Sequence, residues 1–191
     1  QTSAKMLVIF AFITLGSILG LTIPGLFKFQ LSNFKPFFVA PASSLILTIF
    51  LIAETFFGWE TATFLSEETK DGKRVMPKAL IWGTVIIAII SLTFVITSLG
   101  VIPWKIFGTS SAPLTDLGIL HYGLRGGTVF TILVYFAIIG SVAGWVVSAP
   151  RLLLAMAKDK LFMEQFAVIH PKNLTPHRAI IFQTVLIHIY I

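Results

Sequence analysis

Apolar runs that approach or exceed the roughly 18 to 20 residues needed to cross a bilayer as a helix recur along the whole chain. They cover about 6–27, 42–65, 78–102 and 128–150, and a fifth begins near 179 and is cut off at 191. The buried strands of a soluble α/β protein would give runs of about 4 to 8 residues instead. Composition points the same way: 56% of residues are hydrophobic and 12% are charged, against about 25% charged in ordinary soluble domains. The expected fold class is therefore all-α integral membrane, in a single partial domain over 1–191.

The gaps between the runs carry the helix-stopping and charged residues. The first run is interrupted by Gly16, Gly20 and Pro24, and the loop after it holds Pro36 and Pro41. A dense charged loop, Ser66 to Arg74, follows the second run. Pro77 then stands where a proline is favoured, at the start of the third. Pro103 ends that run. The mixed stretch from Trp104 to Gly126 includes a segment, Ala112 to Leu120, suited to a short surface helix. The helix of the fourth run is expected to continue through Arg151 and Met156 toward Lys160.

Lys and Arg alternate in density across the gaps. The loops after the first and third runs hold two each, Lys28 with Lys35 and Lys105 with Arg125. The loop after the second holds four, and the stretch after the fourth holds five. By the positive-inside rule this alternation places the N-terminus of the chain and both basic-rich loops in the cytoplasm. The net charge of +6 is thus a topology signal rather than a nucleic-acid one. With no cysteine and four scattered histidines, the sequence offers no disulfide, thiolate or metal-ligand set. It has neither a paired nucleophile and base nor an H-E-x-x-H pattern, so an enzyme is not expected, and no cofactor beyond a coupling proton or sodium ion. The chain opens without a starter methionine and ends inside an apolar run, which leads us to expect a fragment.

Of eight acidic residues, six fall in loops. The exceptions are Glu54 and Glu60, both in the second run. A charge at mid-membrane costs about 2.5–3.5 kcal/mol on insertion scales and marks a functional site by default. Six residues apart, the two would lie on opposite faces of an unbroken helix. Gly58 offers a break between them: it lacks a side chain and stands among weak helix formers, Thr55, Phe56, Phe57, Trp59 and Thr61. Unwound backbone at such a point can bind a carboxylate or an ion. The competing reading is a glycine at a close helix contact, with Glu60 bonded to a neighbouring helix. Composition does not choose between them.

The segment Phe57-Gly58-Trp59-Glu60-Thr61-Ala62, with Ser66 to Arg74 and Pro77-Lys78-Ala79 after it, resembles the sixth helix and following loop of the amino acid–polyamine–organocation permeases. That family shows F-x-G-[FWV]-E, then E-E-x-K-[ND]-P-x-R, then P-x-A. Arg151 to Lys160, followed by His170-Pro171-Lys172 and Thr175-Pro176, resembles the family's eighth-helix exit, R-x-x-x-A-M-A-R-D-G, then H-P-K and T-P. The resemblance covers essentially the whole chain as helices five to nine. It implies five transmembrane helices of a larger inverted-repeat (5+5) transporter fold, with broken first and sixth helices that hold substrate between them. Helices one to four would belong to the rest of the same transporter chain.

Residue by residue, the resemblance places Phe57, Gly58 and Trp59 at the unwound substrate segment. It places Glu60 at a carboxylate that couples substrate site to gate. Glu54 stands where related antiporters carry an aromatic over the substrate, and a carboxylate there suits a cationic group such as that of a basic amino acid or polyamine. The bland alternative is that Glu54 faces another helix or water. Thr14 falls where proton-coupled relatives have a lysine in place of a sodium ion, and a hydroxyl there suits sodium coupling or uncoupled exchange. Ser141, with Ser148, matches eighth-helix hydroxyls that help hold that ion in sodium-coupled relatives; small serines near Gly140 and Gly144 are more often packing residues. The expected function is secondary active transport of an amino acid or related organic cation across a microbial plasma membrane, with substrate and lipid as partners and no nucleic acid. The alternative class is a channel or receptor with an intramembrane carboxylate, although no repeated pore motif is visible.

Overall fold

A computed structural model describes residues 2–37, 41–54, 63–64 and 69–190. Among the described residues the regular structure is helical throughout, with no strand. Six α-helices follow in order: α1 (Thr2–Phe27), α2 (Ala42–Glu54), α3 (Gly72–Val101), α4 (Trp104–Thr109), α5 (Pro113–Lys158) and α6 (His177–Tyr190). Among the described residues, three helices are long and apolar enough to cross a membrane: Lys5–Phe27 within α1, α3 and α5. The apolar stretch Ala42–Ala53 of α2 is shorter.

Polarity is distributed as expected of a protein whose surroundings are hydrocarbon. Large apolar side chains such as Phe12, Ile46, Phe50, Ile81 and Tyr135 point outward, while Ser17, Thr22, Thr97, Ser98 and Ser148 are buried. Soluble monomers rarely expose contiguous apolar patches larger than a few hundred Å². Each buried hydroxyl turns back on its own helix. Ser17 donates to Ile13 O, Thr22 to Ile18 O, Ser98 to Phe94 O and Ser148 to Gly144 O, at 2.7–2.8 Å. Thr97 does the same toward Thr93 O. These small side chains satisfy their own polarity and let helices pack closely.

The chain divides into two compact units. One comprises Gln1–Thr55 and Trp82–Ser141. Its core is Leu21, Ile102, Leu117 and Phe130, with Phe94, Val101, Phe107, Leu114 and Leu133 against it. Close approach of α1 to α5 is permitted at Gly140, where a Cβ would lie 2.6 Å from Phe10 Cβ. The other unit comprises Phe56–Ile81 and Val142–Ile191. Its core is Ala157, Phe166 and Ala179, sealed by Leu153, Phe162, Ala167 and Phe182. The rings of Phe162, Phe166 and Phe182 lie 5.1–6.4 Å apart.

Several boundaries differ from those read from the sequence. The first helix is not interrupted: α1 continues through Gly16, Gly20 and Pro24 to Phe27. Pro77 does not open α3, which starts at Gly72. The carbonyl of Asp71 begins that helix by accepting from Arg74 N and Val75 N. Pro77 then forfeits only the bond to Lys73 O, near an exposed helix start where water can replace it. The mixed stretch from Trp104 to Gly126 is mostly helical, forming α4 and the first turns of α5. At 46 residues, α5 would measure about 69 Å if straight, twice the hydrocarbon thickness. It is not straight: Gly123 has φ 74° and ψ −171°, a conformation that residues with a Cβ rarely adopt. Residues 113–122 therefore form a separate short helix, held against the later turns by a 2.7 Å bond between the Thr115 and Thr131 hydroxyls.

The far end of α5 closes in a Schellman motif. Leu161 N donates to Met156 O at 2.8 Å and Lys160 N to Ala157 O at 3.2 Å, with Lys160 at φ 59°. Glycine is the usual occupant of that left-handed position, which gives a physical reason for the glycine of the R-D-G pattern and a cost to the lysine found here. Lys160→Gly is therefore expected to raise stability by about 1 kcal/mol, measured as an increase in the thermal unfolding midpoint in detergent.

Candidate functional site

The apolar faces of α1, α3 and α5 within the first unit do not close completely. They leave a cavity of about 390 Å³, into which α1 contributes Thr14, Ser17, Ile18 and Leu21 and α3 contributes Phe94. The later turns of α5 supply Phe130, Leu133, Val134, Ala137, Ile138 and Ser141, and Leu114 closes one side. The lining carries three hydroxyls and no charged side chain. Thr14 and Ser141, picked out separately in the sequence, thus stand on one cavity.

The hydroxyl protons on the α1 side are already committed. Thr14 Oγ1 donates to Phe10 O at 2.9 Å and Ser17 Oγ to Ile13 O at 2.7 Å. A hydroxyl that has donated its proton still offers lone pairs, so these oxygens can accept a hydrogen bond or coordinate a small cation. Ser17 was missed in the sequence. Its signal was spacing: three residues after Thr14, it shares a helix face with it.

The remaining predicted site residues are placed as follows. Glu54 is the last residue of α2, and the description extends to its backbone. Phe57, Gly58, Trp59 and Glu60 lie outside the described residues. In the second unit, Ser148 is buried and bonded to Gly144 O within its own helix, the arrangement of a packing serine. No group of three or more His, Cys, Asp or Glu able to hold a metal occurs among the described residues.

Beside the cavity, the end of α1 is tied down by its own loop and by the short helix before Gly123. Gly100 O, at the end of α3, accepts from Gln30 N at 2.9 Å and from Asn33 Nδ2 at 2.7 Å. The Phe29 ring lies directly over Gly100. Lys28 Nζ donates to Leu120 O at 2.8 Å, a cation at the C-terminal carbonyls of a helix. Tyr122 Oη donates to Gly20 O at 2.7 Å. That carbonyl is four residues before Pro24, which has no N–H to give it. None of these ties was readable from sequence, because each joins positions more than 60 residues apart.

The stretch after α5 owes its form to His170. His170 N donates to Thr175 O and Leu174 N to His170 O, and His170 Nδ1 accepts from Lys172 N and Asn173 N at 3.3 and 3.2 Å. The ring of His177 meets it edge-on at 5.3 Å. The H-P-K and T-P elements thus form one closed turn leading into α6.

Because the Thr14 hydroxyl serves its own helix, its loss has little leverage on packing. Thr14→Val is expected to cost less than about 1 kcal/mol, whereas Leu21→Ala, in the core beside it, costs about 2–5 kcal/mol. Paired thermal unfolding curves check the difference.

Comparison with known proteins agrees with these motifs and this helical architecture. The model of the family described as "Amino acid permease" matches residues 2–191. An uncharacterized transporter of Rhizobium meliloti (strain 1021) is 29% identical over 132 residues, covering 66% of this chain and 27% of its own length. The branched-chain amino acid permease BcaP of Bacillus subtilis (strain 168) is 24% identical over 159 residues, 77% of this chain and 32% of its own. The serine/threonine exchanger SteT of the same organism is 29% identical over 132 residues, 68% of this chain and 30% of its own. The chain thus spans about a third of the length of the curated relatives it matches, and it belongs to the amino acid permease family of multi-pass membrane proteins.

Proposed function

We infer that this chain is part of a secondary active transporter that moves an amino acid or related organic cation by alternating access. Five of its segments would be spans of the complete inverted-repeat fold, with the N-terminus of the chain on the cytoplasmic side of the plasma membrane. Substrate binds at the unwound backbone near Gly58, between Phe57 and Trp59, and Glu60 links that site to the gate. The observation that best supports the reading is the match of the permease family over 2–191, with Thr14 and Ser141 on one uncharged cavity between α1 and α5.

Substrate class turns on Glu54. A buried carboxylate needs a cationic partner or stays protonated, so a basic amino acid or polyamine fits it. A second reading is favoured by the names of two relatives, which specify branched-chain amino acids and serine or threonine; there the substrate is neutral and Glu54 faces a neighbouring helix. Uptake of arginine, lysine, putrescine and leucine by the full-length transporter, with and without Glu54→Gln, separates them. Selective loss of the three cations, by tenfold or more for about 1.4 kcal/mol of lost pairing, is expected. Equal losses for all four exclude the cationic preference.

Coupling turns on the cavity. Thr14 presents oxygen lone pairs where a lysine would present a fixed charge, an arrangement suited to sodium, while Glu60 suits a proton. Transport is expected to fall when choline replaces sodium, and Thr14→Val is expected to weaken that dependence. Uptake indifferent to sodium assigns coupling to the proton or to exchange.

A further inference from the structure

Three consecutive residues of the short helix before Gly123 engage the last turns of α1. Leu120 O accepts from Lys28 Nζ. The His121 ring stands over Gly25, with Nε2 3.7 Å from where a Cβ would be. Tyr122 Oη donates to Gly20 O. The Tyr122 ring is stacked on Phe130, with centroids 5.6 Å apart and planes at 19°, and the edge of Phe130 in turn lies against Gly20. The phenol is therefore aimed by packing at one carbonyl.

Proline in a helix leaves the carbonyl four residues earlier without its donor and weakens the helix there. In hydrocarbon that carbonyl has no water to turn to, and a side chain from a neighbouring helix must serve. Pro24 creates this vacancy at Gly20, and Tyr122 fills it. Tyr122 is also the residue immediately before Gly123, whose φ of 74° breaks the helix. One bond thus joins a weak point in α1 to a swivel in α5. Tyr122 is 52% exposed, so its side chain has room to swing off this carbonyl and the bond can open and close.

We propose that Tyr122 is a positioning residue that clasps a hinge in α1: its hydroxyl braces the helix at Pro24, and its release loosens the last turn, Gly25 to Phe27, between that proline and the tie that Lys28 makes to Leu120. The clasp does not depend on which substrate or ion the transporter uses.

Hydrogen–deuterium exchange of the full-length transporter tests the clasp in a cycle of two substitutions. Tyr122→Phe keeps the ring stack and removes only the donor. It is expected to speed exchange of the amides of residues 25–28 by about 2- to 10-fold, leaving residues 180–188 of α6 unchanged. Pro24→Ala restores an N–H for Gly20 O, so in that background Tyr122→Phe is expected to have less than about a twofold effect. Pro24→Leu restores the same N–H and replaces Pro24→Ala where the latter does not fold. No acceleration by Tyr122→Phe, equal acceleration in both backgrounds, or parallel acceleration in α6 overturns the clasp.

Discussion

A backbone carbonyl in hydrocarbon must find its donor within the protein, and most of the local architecture follows from that single requirement. Helices meet it internally, which is why the long apolar runs among the described residues are helical. Trouble arises only where a helix ends or a proline intrudes. Gly20, Gly100 and Leu120 are such places, and each receives a donor from elsewhere in the first unit: Tyr122 for the first, Gln30 and Asn33 for the second, Lys28 for the third. The tertiary structure at this end of the unit is a set of answers to unsatisfied carbonyls, with the Leu21–Phe130 core packed behind them.

Side chains obey the same rule. A buried serine or threonine hydroxyl is an unpaired donor unless it finds an acceptor, and the nearest is the carbonyl one turn back. Ser17, Thr22, Thr97, Ser98 and Ser148 all take it. This arrangement lets small polar residues fill helix contacts without committing to a partner helix, so neighbouring helices are held by shape. Phe10 against Gly140 is one such contact.

The class of fold and the family were legible because they rest on features that a one-dimensional string preserves: run length, the spacing of basic gaps, and the two motifs at Phe57–Ala79 and Arg151–Pro176. Helix boundaries were less so. Pro24 and Pro77 read as punctuation, yet both lie inside helices, since one lost bond is tolerable when a tyrosine or water replaces it. Gly123, which does break a helix, went unremarked because a glycine carries no signal of its φ. The pairing of Thr14 with Ser141 on one cavity, and of Tyr122 with Gly20, depends on contacts across more than 100 residues. Local periodicity holds no record of such contacts. Phe57 to Glu60 lie outside the described residues, so for them the motif carries the assignment.

The direction of the Thr14 and Ser17 hydroxyls has a consequence for selectivity. Both protons are spent on α1 itself, so the polar atoms of that wall are acceptors set among the apolar side chains of Ile18 and Leu21. Such a wall discriminates by hydrogen-bond sense although it holds no charge: it can accept from a donor and has no proton of its own to give an acceptor.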